Sequence, residues 1–392
     1  MITTAVILAG GRGERMLPIT EFLPKALVPV LGIPMLKLQI TQLERLGIQK
    51  IVILTGHFGE DIQSYINSQT FKIDITCIQS ESNLEPGERL ARSLSSFSSE
   101  FLLLYCDNFI PNDEMVLSQI NSNSEVSMVL QLRGSGNIQL RDNLACVYIQ
   151  KDRDPNNPYV ELGYISIKSE NFKSILMETL DLNLSFKLFS ERHKMSYSIL
   201  DSDYQSISDF QRYIRQGLQG KIIILDRDGI LNKKMAPRKY LNTYRELVYE
   251  MQYIKIFETL GGLGYNFVIA SNQPGVATGE VSEDFLNNLH RKMTNDLREY
   301  GVNLLAFYVC KHHWDDNCSC RKPKPGLLNQ ITADFQLSPK ATYFIGDEDK
   351  DINAAESSGM LGVKFPVPDF LDKLGIKTGS DKCLSTLDEP LQ

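Results

Sequence analysis

The chain has 392 residues, of which 42% are hydrophobic and 23% charged, and its formal net charge is −7. This length favours two domains over one compact core, and the acidic balance argues against general nucleic-acid binding. No apolar run approaches the ~20 residues of a membrane span, and residues 5–9 are too short for a signal-peptide core. Seven cysteines, three of them clustered, do not suggest a disulfide scaffold. We expect a cytoplasmic protein without nucleic-acid or membrane partners, whose oligomeric state is left open.

A glycine-rich loop directly follows the first predicted strand, Ala5 to Leu8. Glycines let a loop bend closely around a phosphate, whose oxygens then accept hydrogen bonds from backbone N–H groups. The loop therefore predicts a phosphate site formed by Gly10, Gly11 and Gly13. A dinucleotide-type loop or a simple turn is the alternative interpretation.

A longer pattern narrows this interpretation. The sequence reads A-G-G-x-G-x-R, then Pro24-Lys25, then V-P-V and G-x-P-M, and over residues 2 to about 60 it resembles the sugar-1-phosphate nucleotidyltransferases. The resemblance implies that Arg15 and Lys25 contact the triphosphate and the sugar phosphate, in a reaction that depends on positioning and charge neutralisation. It also implies that Asp107, at the end of a predicted strand, binds Mg²⁺. An aspartate that caps a turn is the alternative for Asp107.

Strand and helix patterns alternate in this half of the chain, with a helix from Met35 to Leu46 and strands at 50–55, 73–78 and 101–105. This alternation predicts βαβ units in a doubly wound sheet.

The remainder of this half departs from the nucleotidyltransferase pattern. Residues 82–89 keep the turn of the P-L-G-T-A-G stretch but lose its small residues, and Gln150-Lys151 stands in place of the E-K pair. The resemblance implies sugar contacts from Lys151, Glu161 and Gly163. The second metal-binding aspartate has no clear counterpart, and the nearby candidates are Asp201 and Asp203.

The second half begins with an apolar run, Ile222 to Leu225, that stops at two carboxylates, Asp226 and Asp228. The run predicts a buried strand of a parallel sheet, and ligands bind outside the carboxyl ends of such strands. Gly229 then allows a tight turn and a close approach to a ligand. An acidic turn after a core strand is the alternative.

Three later segments complete a larger pattern. They are S-N-Q-P-G from Ser271, R-K-P-K-P from Arg321 and G-D-E-D-K-D from Gly346. Together with D-R-D-G-x-x-N from Asp226, they resemble the four motifs of haloacid dehalogenase-like phosphatases, in the branch that acts on heptose bisphosphate and histidinol phosphate. The resemblance implies that Asp226 is the nucleophile and Asp228 the acid–base group. It implies phosphate or substrate contacts from Ser271, Asn272, Arg321 and Lys322. It also implies that Mg²⁺ is bound by Asp226, the Asp228 carbonyl and Asp347, with support from Asp351.

The segment between two of these motifs contains Cys310, His312, Cys318 and Cys320. Three thiolates and one imidazole in a C-x-H…C-x-C arrangement predict a closed, structural zinc site. His313 is the alternative to His312, and reactive or simply buried thiols are the alternative to zinc. The resemblance implies that this loop partly covers the active site.

We therefore predict two doubly wound α/β domains. They are a nucleotidyltransferase-like Rossmann domain at 1–217 and a haloacid dehalogenase-like domain with a zinc loop at 220–372, followed by a tail at 373–392. Such a chain is expected to remove the 7-phosphate of D-glycero-D-manno-heptose 1,7-bisphosphate and to join heptose 1-phosphate to a nucleotide. The lack of an H-x-G-H motif favours GDP as the activating nucleotide, so that GTP yields GDP-heptose, by analogy.

Two alternatives remain open at this point. The enzyme could act on histidinol phosphate, which the five residues between His312 and Cys318 also suit. The N-terminal half could instead be an inactive binding domain, because its small residues at 82–89 are lost.

Overall fold

The computed structural model describes residues 1–141, 145–149, 154–367 and 370–374. The chain divides into two compact units. The first unit comprises Met1–Ile222, Gly261–Phe267 and Glu283–Phe307, and the second comprises Ile223–Leu260, Val268–Ser282 and the chain from Tyr308 onward. Within the described ranges, no helix combines the length and the apolar character that a membrane crossing requires.

The strands occur in chain order as β1 (Thr4–Ala9), β2 (Pro29–Val30), β3 (Ile33–Pro34), β4 (Lys50–Thr55), β5 (Asp74–Gln79), β6 (Phe101–Tyr105), β7 (Asn108–Phe109), β8 (Val126–Leu132), β9 (Ile138–Arg141), β10 (Ala145–Tyr148), β11 (Tyr159–Ile167), β12 (Met195–Ile199), β13 (Gln205–Ser206), β14 (Lys221–Leu225), β15 (Tyr265–Asn272), β16 (Leu304–Cys310), β17 (Tyr343–Gly346) and β18 (Leu361–Lys364).

The α-helices are α1 (Met35–Arg45), α2 (Gly59–Ser68), α3 (Pro86–Ser93), α4 (Asp113–Ile120), α5 (Glu170–Thr179), α6 (Leu182–Arg192), α7 (Phe210–Arg215), α8 (Met251–Gly262), α9 (Glu283–Arg298), α10 (Gly326–Asp334), α11 (Asp349–Ser357) and α12 (Phe370–Lys373). Short 3₁₀ turns lie at Glu14–Met16, Ile19–Glu21, Lys25–Leu27, Leu94–Ser96, Tyr244–Glu246 and Pro339–Ala341.

A mixed sheet forms the centre of the first unit. Within the described residues its strand order is β5-β4-β1-β6-β11-β8-β12-β10-β9. β1 pairs in parallel with β4 and β6, whereas β11 runs antiparallel to β6 and β8. Side chains such as Val6, Leu54, Leu103 and Phe172 are fully buried in its core. Because both faces are covered, β1, β4 and β6 are almost continuously apolar rather than alternating.

The second sheet has the strand order β16-β15-β14-β17-β18. β14 is parallel to β17, which is parallel to β18. Ile223, Ile224 and Leu225 of β14 are fully buried, as expected for a central strand. Because β14 and β17 point the same way, Asp226 and Asp347 follow them at the same edge of the sheet.

The predicted elements agree with the observed ones to within about two residues at their ends. The predicted strand at 73–78 lies at Asp74–Gln79, and the predicted helix ends at Arg45, just before Gly47. Gly47 has φ 84°, the left-handed conformation that glycine adopts most readily after a helix. Lys151 and most of the predicted tail at 373–392 lie outside the described residues.

Candidate active sites

A buried lysine joins two carboxylates at the end of β14. Lys322 Nζ lies 2.9 Å from Asp226 Oδ1 and 2.8 Å from Asp351 Oδ1, and it donates to Ala270 O at 2.8 Å. Burial raises the pKa of Asp226 to about 6; Lys322 opposes this shift, whereas Asp351 and Asp228 add to it. Burial would lower the pKa of Lys322, but the charges of Asp226 and Asp351 outweigh it and raise that pKa. Lys322 is therefore a fixed positive charge.

Asp347 adds a third carboxylate. One oxygen from each of Asp226, Asp347 and Asp351 lies within 4.8 Å of the others. Asp347 Oδ1 is buried and has no hydrogen-bond partner among the described residues. Gly229 has φ 90°, and a Cβ at that position would lie 2.5 Å from Asp347 Oδ2, so only glycine leaves room for this carboxylate. Clustered hard oxygen donors, one of them unsatisfied, suit Mg²⁺.

Asp228 is held in a separate hydrogen-bond network. Its Oδ1 accepts from Arg227 Nε at 3.1 Å and from Asn232 Nδ2 at 2.9 Å, and its Oδ2 accepts from Gln273 Nε2 at 2.7 Å. Burial would raise the pKa of Asp228, but the charge of Arg227 and these hydrogen bonds outweigh it and lower the pKa. The network therefore keeps Asp228 ionised and fixes its orientation.

The second and third predicted motifs meet near this point. Ser271 is buried, and its Oγ accepts from Gln273 Nε2 at 2.8 Å. Asn272 Oδ1 accepts from Lys322 N at 3.1 Å, and Asn272 Nδ2 donates to Lys322 O at 3.0 Å. The amide of Asn272 thus positions the Lys322 backbone, and the substrate contact that the sequence predicts for Asn272 stays a prediction. Arg321 is half-buried, and its Nη1 has no partner within the described chain.

The predicted zinc ligands form one cluster. Cys310 Sγ lies 3.6 Å from both His312 Nδ1 and Cys318 Sγ, and Cys320 Sγ lies 3.2 Å from His312 Nδ1 and 3.5 Å from Cys318 Sγ. His313 lies outside the cluster, since its Nδ1 accepts from Asp315 N. A set of three sulfurs and one nitrogen could hold zinc.

Lys234 belongs to the site formed by Asp226, Asp347 and Asp351, but the sequence analysis did not identify it. Its Nζ lies 2.5 Å from Asp347 Oδ2 and also contacts Glu348, which pairs with Lys350 at 2.6 Å. Arg227 and Gln273, the partners of Asp228, were not assigned a role either. Arg227 and Gln273 lie inside two of the motifs, and this position could have indicated a role in the site. Lys234 lies in a polar segment that contains no motif.

The first unit contains a cavity of about 630 Å³ next to the carboxyl end of β1. It is lined by the predicted site residues Gly10, Gly11, Gly13, Arg15, Lys25, Asp107 and Glu161. Among the described residues, Gly163, Asp201 and Asp203 do not belong to this lining. Gly163 instead packs against Tyr105, where a Cβ would lie 2.5 Å from the ring, and it donates its N–H to Glu161 Oε2 at 2.7 Å. Leu180–Asn183 form another wall of the cavity, which no motif in the sequence predicts.

Lys25 and Asp107 are bonded to each other in this cavity. Lys25 Nζ lies 2.6 Å from Asp107 Oδ2 and donates to Ser208 O at 3.3 Å. β13 pairs with β7 so that Ser206 lies opposite Asn108, the residue after Asp107. Groups of three or more potential metal donors occur, among the described residues, only in the second unit. The surroundings of Asp107 therefore fit an ion pair rather than a metal site built by the protein alone.

Arg89 is a further buried charge beside the glycine-rich loop. Its Nη1 donates to Thr55 O at 2.6 Å and to Ser80 Oγ at 2.5 Å, and its Nη2 donates to Leu84 O at 2.9 Å. Its guanidinium fills the space that a Cβ on Gly10 would need. Arg89 lies in the stretch where the sequence departs from the nucleotidyltransferase pattern, so this departure brings a fixed cation to the cavity.

Comparisons with known proteins agree with this architecture. The nucleotidyl transferase family matches residues 4–131, and the HAD-hydrolase-like family matches residues 319–364. Over 147 residues the chain is 34% identical to the D-glycero-alpha-D-manno-heptose-1,7-bisphosphate 7-phosphatase of Photorhabdus laumondii, an overlap of 36% of this chain and 79% of the relative.

Two further similarities concern the same half. Over 145 residues the chain is 30% identical to the histidine biosynthesis bifunctional protein HisB of Campylobacter jejuni, covering 37% of this chain and 41% of that protein. A solved D,D-heptose 1.7-bisphosphate phosphatase from B. bronchiseptica, complexed with magnesium and phosphate, is 31% identical with a TM-score of 0.35, covering 36% of this chain and 78% of that one.

The second sheet carries carboxylates and a buried lysine at the end of its parallel strands β14 and β17, and the sheet of the first unit carries a glycine-rich loop after β1. Together they define a two-domain α/β protein. Its N-terminal part is a nucleotidyl transferase domain and its C-terminal part a haloacid dehalogenase-like phosphatase domain. Through the C-terminal part, the chain belongs to the family of D-glycero-D-manno-heptose-1,7-bisphosphate 7-phosphatases.

Proposed function

We propose that the second unit is a phosphomonoesterase in which Asp226 is the nucleophile. The observation that carries this proposal is the contact of Lys322 with both Asp226 and Asp351, next to Asp347. A phosphate dianion is repelled by a carboxylate, and a fixed ammonium offsets that repulsion. Asp226 attacks phosphorus in line, and the resulting aspartyl-phosphate is then hydrolysed.

Asp226, Asp347 and the carbonyl of Asp228 would hold Mg²⁺, which screens the phosphate charge when it is bound. The remaining tasks fall to side chains of this chain. Ser271 Oγ accepts from Gln273, so its own hydrogen is available for a phosphoryl oxygen. Asp228 is the acid–base group of this proposal. It must first take up a proton, which it then donates to the leaving alcohol, and its carboxylate, the form that the lowered pKa favours, later activates water. Arg321, with a free N–H group, binds the distal part of the substrate.

The first unit transfers a nucleotidyl group to a sugar 1-phosphate in this proposal. Its support is the cavity of about 630 Å³, in which the glycine-rich loop and the cations Arg15, Lys25 and Arg89 surround space for a triphosphate. Backbone N–H groups and fixed cations are what phosphoryl transfer requires from a protein. Glu161, which also lines the cavity, is placed for hydroxyl groups of the sugar.

The two activities make consecutive steps on one substrate. The phosphatase removes the 7-phosphate of D-glycero-D-manno-heptose 1,7-bisphosphate. The transferase then joins heptose 1-phosphate to the nucleotidyl group of a nucleoside triphosphate, which we propose to be GTP, so that GDP-heptose forms and pyrophosphate leaves. The names of the 7-phosphatase relatives and the two family matches support this order. We retain the domain boundaries 1–217 and 220–372 as part of the proposal.

A second candidate function is a phosphatase carrying an inactive nucleotide-binding domain. The observation in its favour is the ion pair between Lys25 and Asp107, in the segment where β13, which contains Ser206, pairs with β7. Among the described residues, Asp107 belongs to no group of three or more potential metal donors. For the phosphatase itself, the similarity to HisB keeps histidinol phosphate as the alternative substrate.

Turnover by matched variants separates these functions. Pyrophosphate release is measured with heptose 1-phosphate and each of GTP, ATP, CTP and UTP, and phosphate release is measured with heptose bisphosphate and histidinol phosphate. Asp226→Asn should abolish only phosphate release, and Asp107→Asn only pyrophosphate release. No pyrophosphate from the wild-type protein with any nucleotide would favour the inactive domain, and equal loss of both activities in either folded variant would contradict two separate sites.

A further inference from the structure

Lys234 lies in direct contact with a carboxylate of the candidate metal site. Its Nζ is 2.5 Å from Asp347 Oδ2, while Asp347 Oδ1 is buried and has no partner among the described residues. Asp347 therefore belongs to the cluster with Asp226 and Asp351 and at the same time contacts a lysine through Oδ2. An ammonium and a divalent cation on the same carboxylate repel each other.

The backbone around Lys234 is anchored, whereas its side chain is partly free. Lys233 N donates to Val248 O at 2.8 Å, and Asn232 Nδ2 donates to Lys233 O at 3.0 Å. The side chain of Lys234 is 35% exposed. Its ammonium can thus leave Asp347 by side-chain rotation alone, without a movement of the loop.

Glu348 gives the ammonium a second partner at the same place. Lys234 contacts Glu348 as well as Asp347, and Glu348 also pairs with Lys350 at 2.6 Å. Within the described part of the chain, Lys350 pairs with Glu348 but not with Asp347, so the two lysines share one acid and only Lys234 contacts the candidate metal ligand. This difference makes Lys350 a matched control.

We propose that Lys234 is a positioning residue that weakens divalent-cation binding at Asp347 until a phosphate group is present. The phosphate's negative charge attracts both the cation and the ammonium, so it offsets their mutual repulsion. By linkage, phosphate then raises the affinity for the metal, and the metal raises the affinity for phosphate by the same factor. Removing the lysine charge strengthens metal binding by about tenfold, the size of a screened repulsion at roughly 5 Å. This inference rests on the proposed metal-dependent phosphatase site.

The test measures metal binding rather than turnover. Free Mn²⁺ is followed by electron paramagnetic resonance in the full-length protein, with and without inorganic phosphate. An Asp107→Asn background removes the carboxylate of the first unit for which the sequence predicts metal binding. Lys234→Met and Lys234→Gln are compared with Lys350→Met, and Lys234→Arg retains the charge. Thermal unfolding confirms that each variant is folded. If Lys234→Met does not fold, Lys234→Gln alone provides the measurement without the lysine charge.

The expected result is an affinity for Mn²⁺ about tenfold higher in Lys234→Met and Lys234→Gln, with a smaller effect of phosphate on it. Lys234→Arg and Lys350→Met should stay within about twofold of the parent. An equal rise in Lys350→Met would indicate a general charge effect and overturn the proposal. An unchanged or weaker affinity in both neutral variants would also overturn it. If Mn²⁺ binds as expected but no phosphate ester is hydrolysed, the proposed reaction fails while the role of Lys234 stands.

Discussion

Lys322 Nζ lies 2.9 Å from Asp226 Oδ1 in a position where neither side chain is appreciably exposed. The same ammonium lies 2.8 Å from Asp351 Oδ1, so one lysine compensates two buried carboxylates. Removing one partner of a buried ion pair leaves an uncompensated charge, which is far more costly than losing a surface pair.

We therefore expect Lys322→Met to lower the free energy of unfolding by about 3–5 kcal/mol and to abolish phosphate release. Lys324→Met is the control, because Lys324 is exposed and contacts Asn317 only through surface hydrogen bonds. It should cost less than about 1 kcal/mol. Urea denaturation compares the two variants, and equal costs would show that Lys322 does not compensate the buried acids.

Arg227 is expected to set the ionisation of Asp228. It lowers the pKa of Asp228 against the effect of burial, so Asp228 stabilises the fold fully above its unfolded pKa of about 4. This stabilisation is lost as the pH falls through the lower, folded pKa. Arg227→Met leaves the carboxylate buried without its cation, and we expect a loss of about 3 kcal/mol at pH 7 that shrinks as the pH falls towards 3.

Unfolding of this variant is measured between pH 3 and pH 8. Arg245→Met, which changes an exposed arginine, serves as the control and should show no pH-dependent difference from the wild type. A loss in Arg227→Met that is independent of pH would mean that Arg227 acts through packing alone.

Gly229 should tolerate no side chain. Gly229→Ala combines a positive φ with a Cβ placed 2.5 Å from Asp347 Oδ2, so we expect it to displace that carboxylate and reduce phosphate release by at least about a hundredfold. Gly359→Ala is the matched control, since Gly359 has φ 72° but its nearest neighbour lies 3.9 Å away. It should cost about 1–2 kcal/mol of stability and leave the rate unchanged. Similar rates for both variants would contradict the close approach at Gly229.

The Cys/His cluster predicts about one zinc per chain. Cys318→Ser should lose the metal, whereas Cys77→Ser, which changes a half-buried thiol in β5, should retain it. Trp314 is the one tryptophan of the sequence and lies in this loop with its ring 3.8 Å from that of His313, so its fluorescence reports on the loop. Elemental analysis and emission spectra check this, and a zinc-free protein with the emission of Cys318→Ser would refute the site.

The site residues that could be predicted from the sequence are those that lie in short, continuous patterns. The apolar run that ends at Asp226 located this carboxylate at a strand end, because the length of such a run reflects burial in a sheet. Ser271 and Asp347 were identified through the motifs that resemble those of haloacid dehalogenase-like phosphatases. The spacing of cysteine and histidine in one loop likewise selected His312, which the structure places in the cluster instead of His313.

Contacts between distant segments were not predictable in this way. Lys234 reaches Asp347 from a loop more than a hundred residues earlier, and no periodicity links the two. Arg89 was known only as part of a departure from a pattern, and its burial against Gly10 depends on how two loops fold together. The wall of the cavity at Leu180–Asn183 arises similarly, because Gly87 packs against its backbone.

In the proposed function, the phosphatase prepares the substrate of the transferase. Phosphorus NMR of heptose 1,7-bisphosphate incubated with the full-length protein and Mg²⁺ tests it most directly, with Asp226→Asn as the control for enzymatic release. We predict loss of the 7-phosphate signal with retention of the anomeric phosphate, followed by a nucleotide-diphosphate signal and pyrophosphate when GTP is added. Loss of the anomeric phosphate with retention of the 7-phosphate would contradict the claim, because the first unit would then have no phosphate with which to attack the nucleotide.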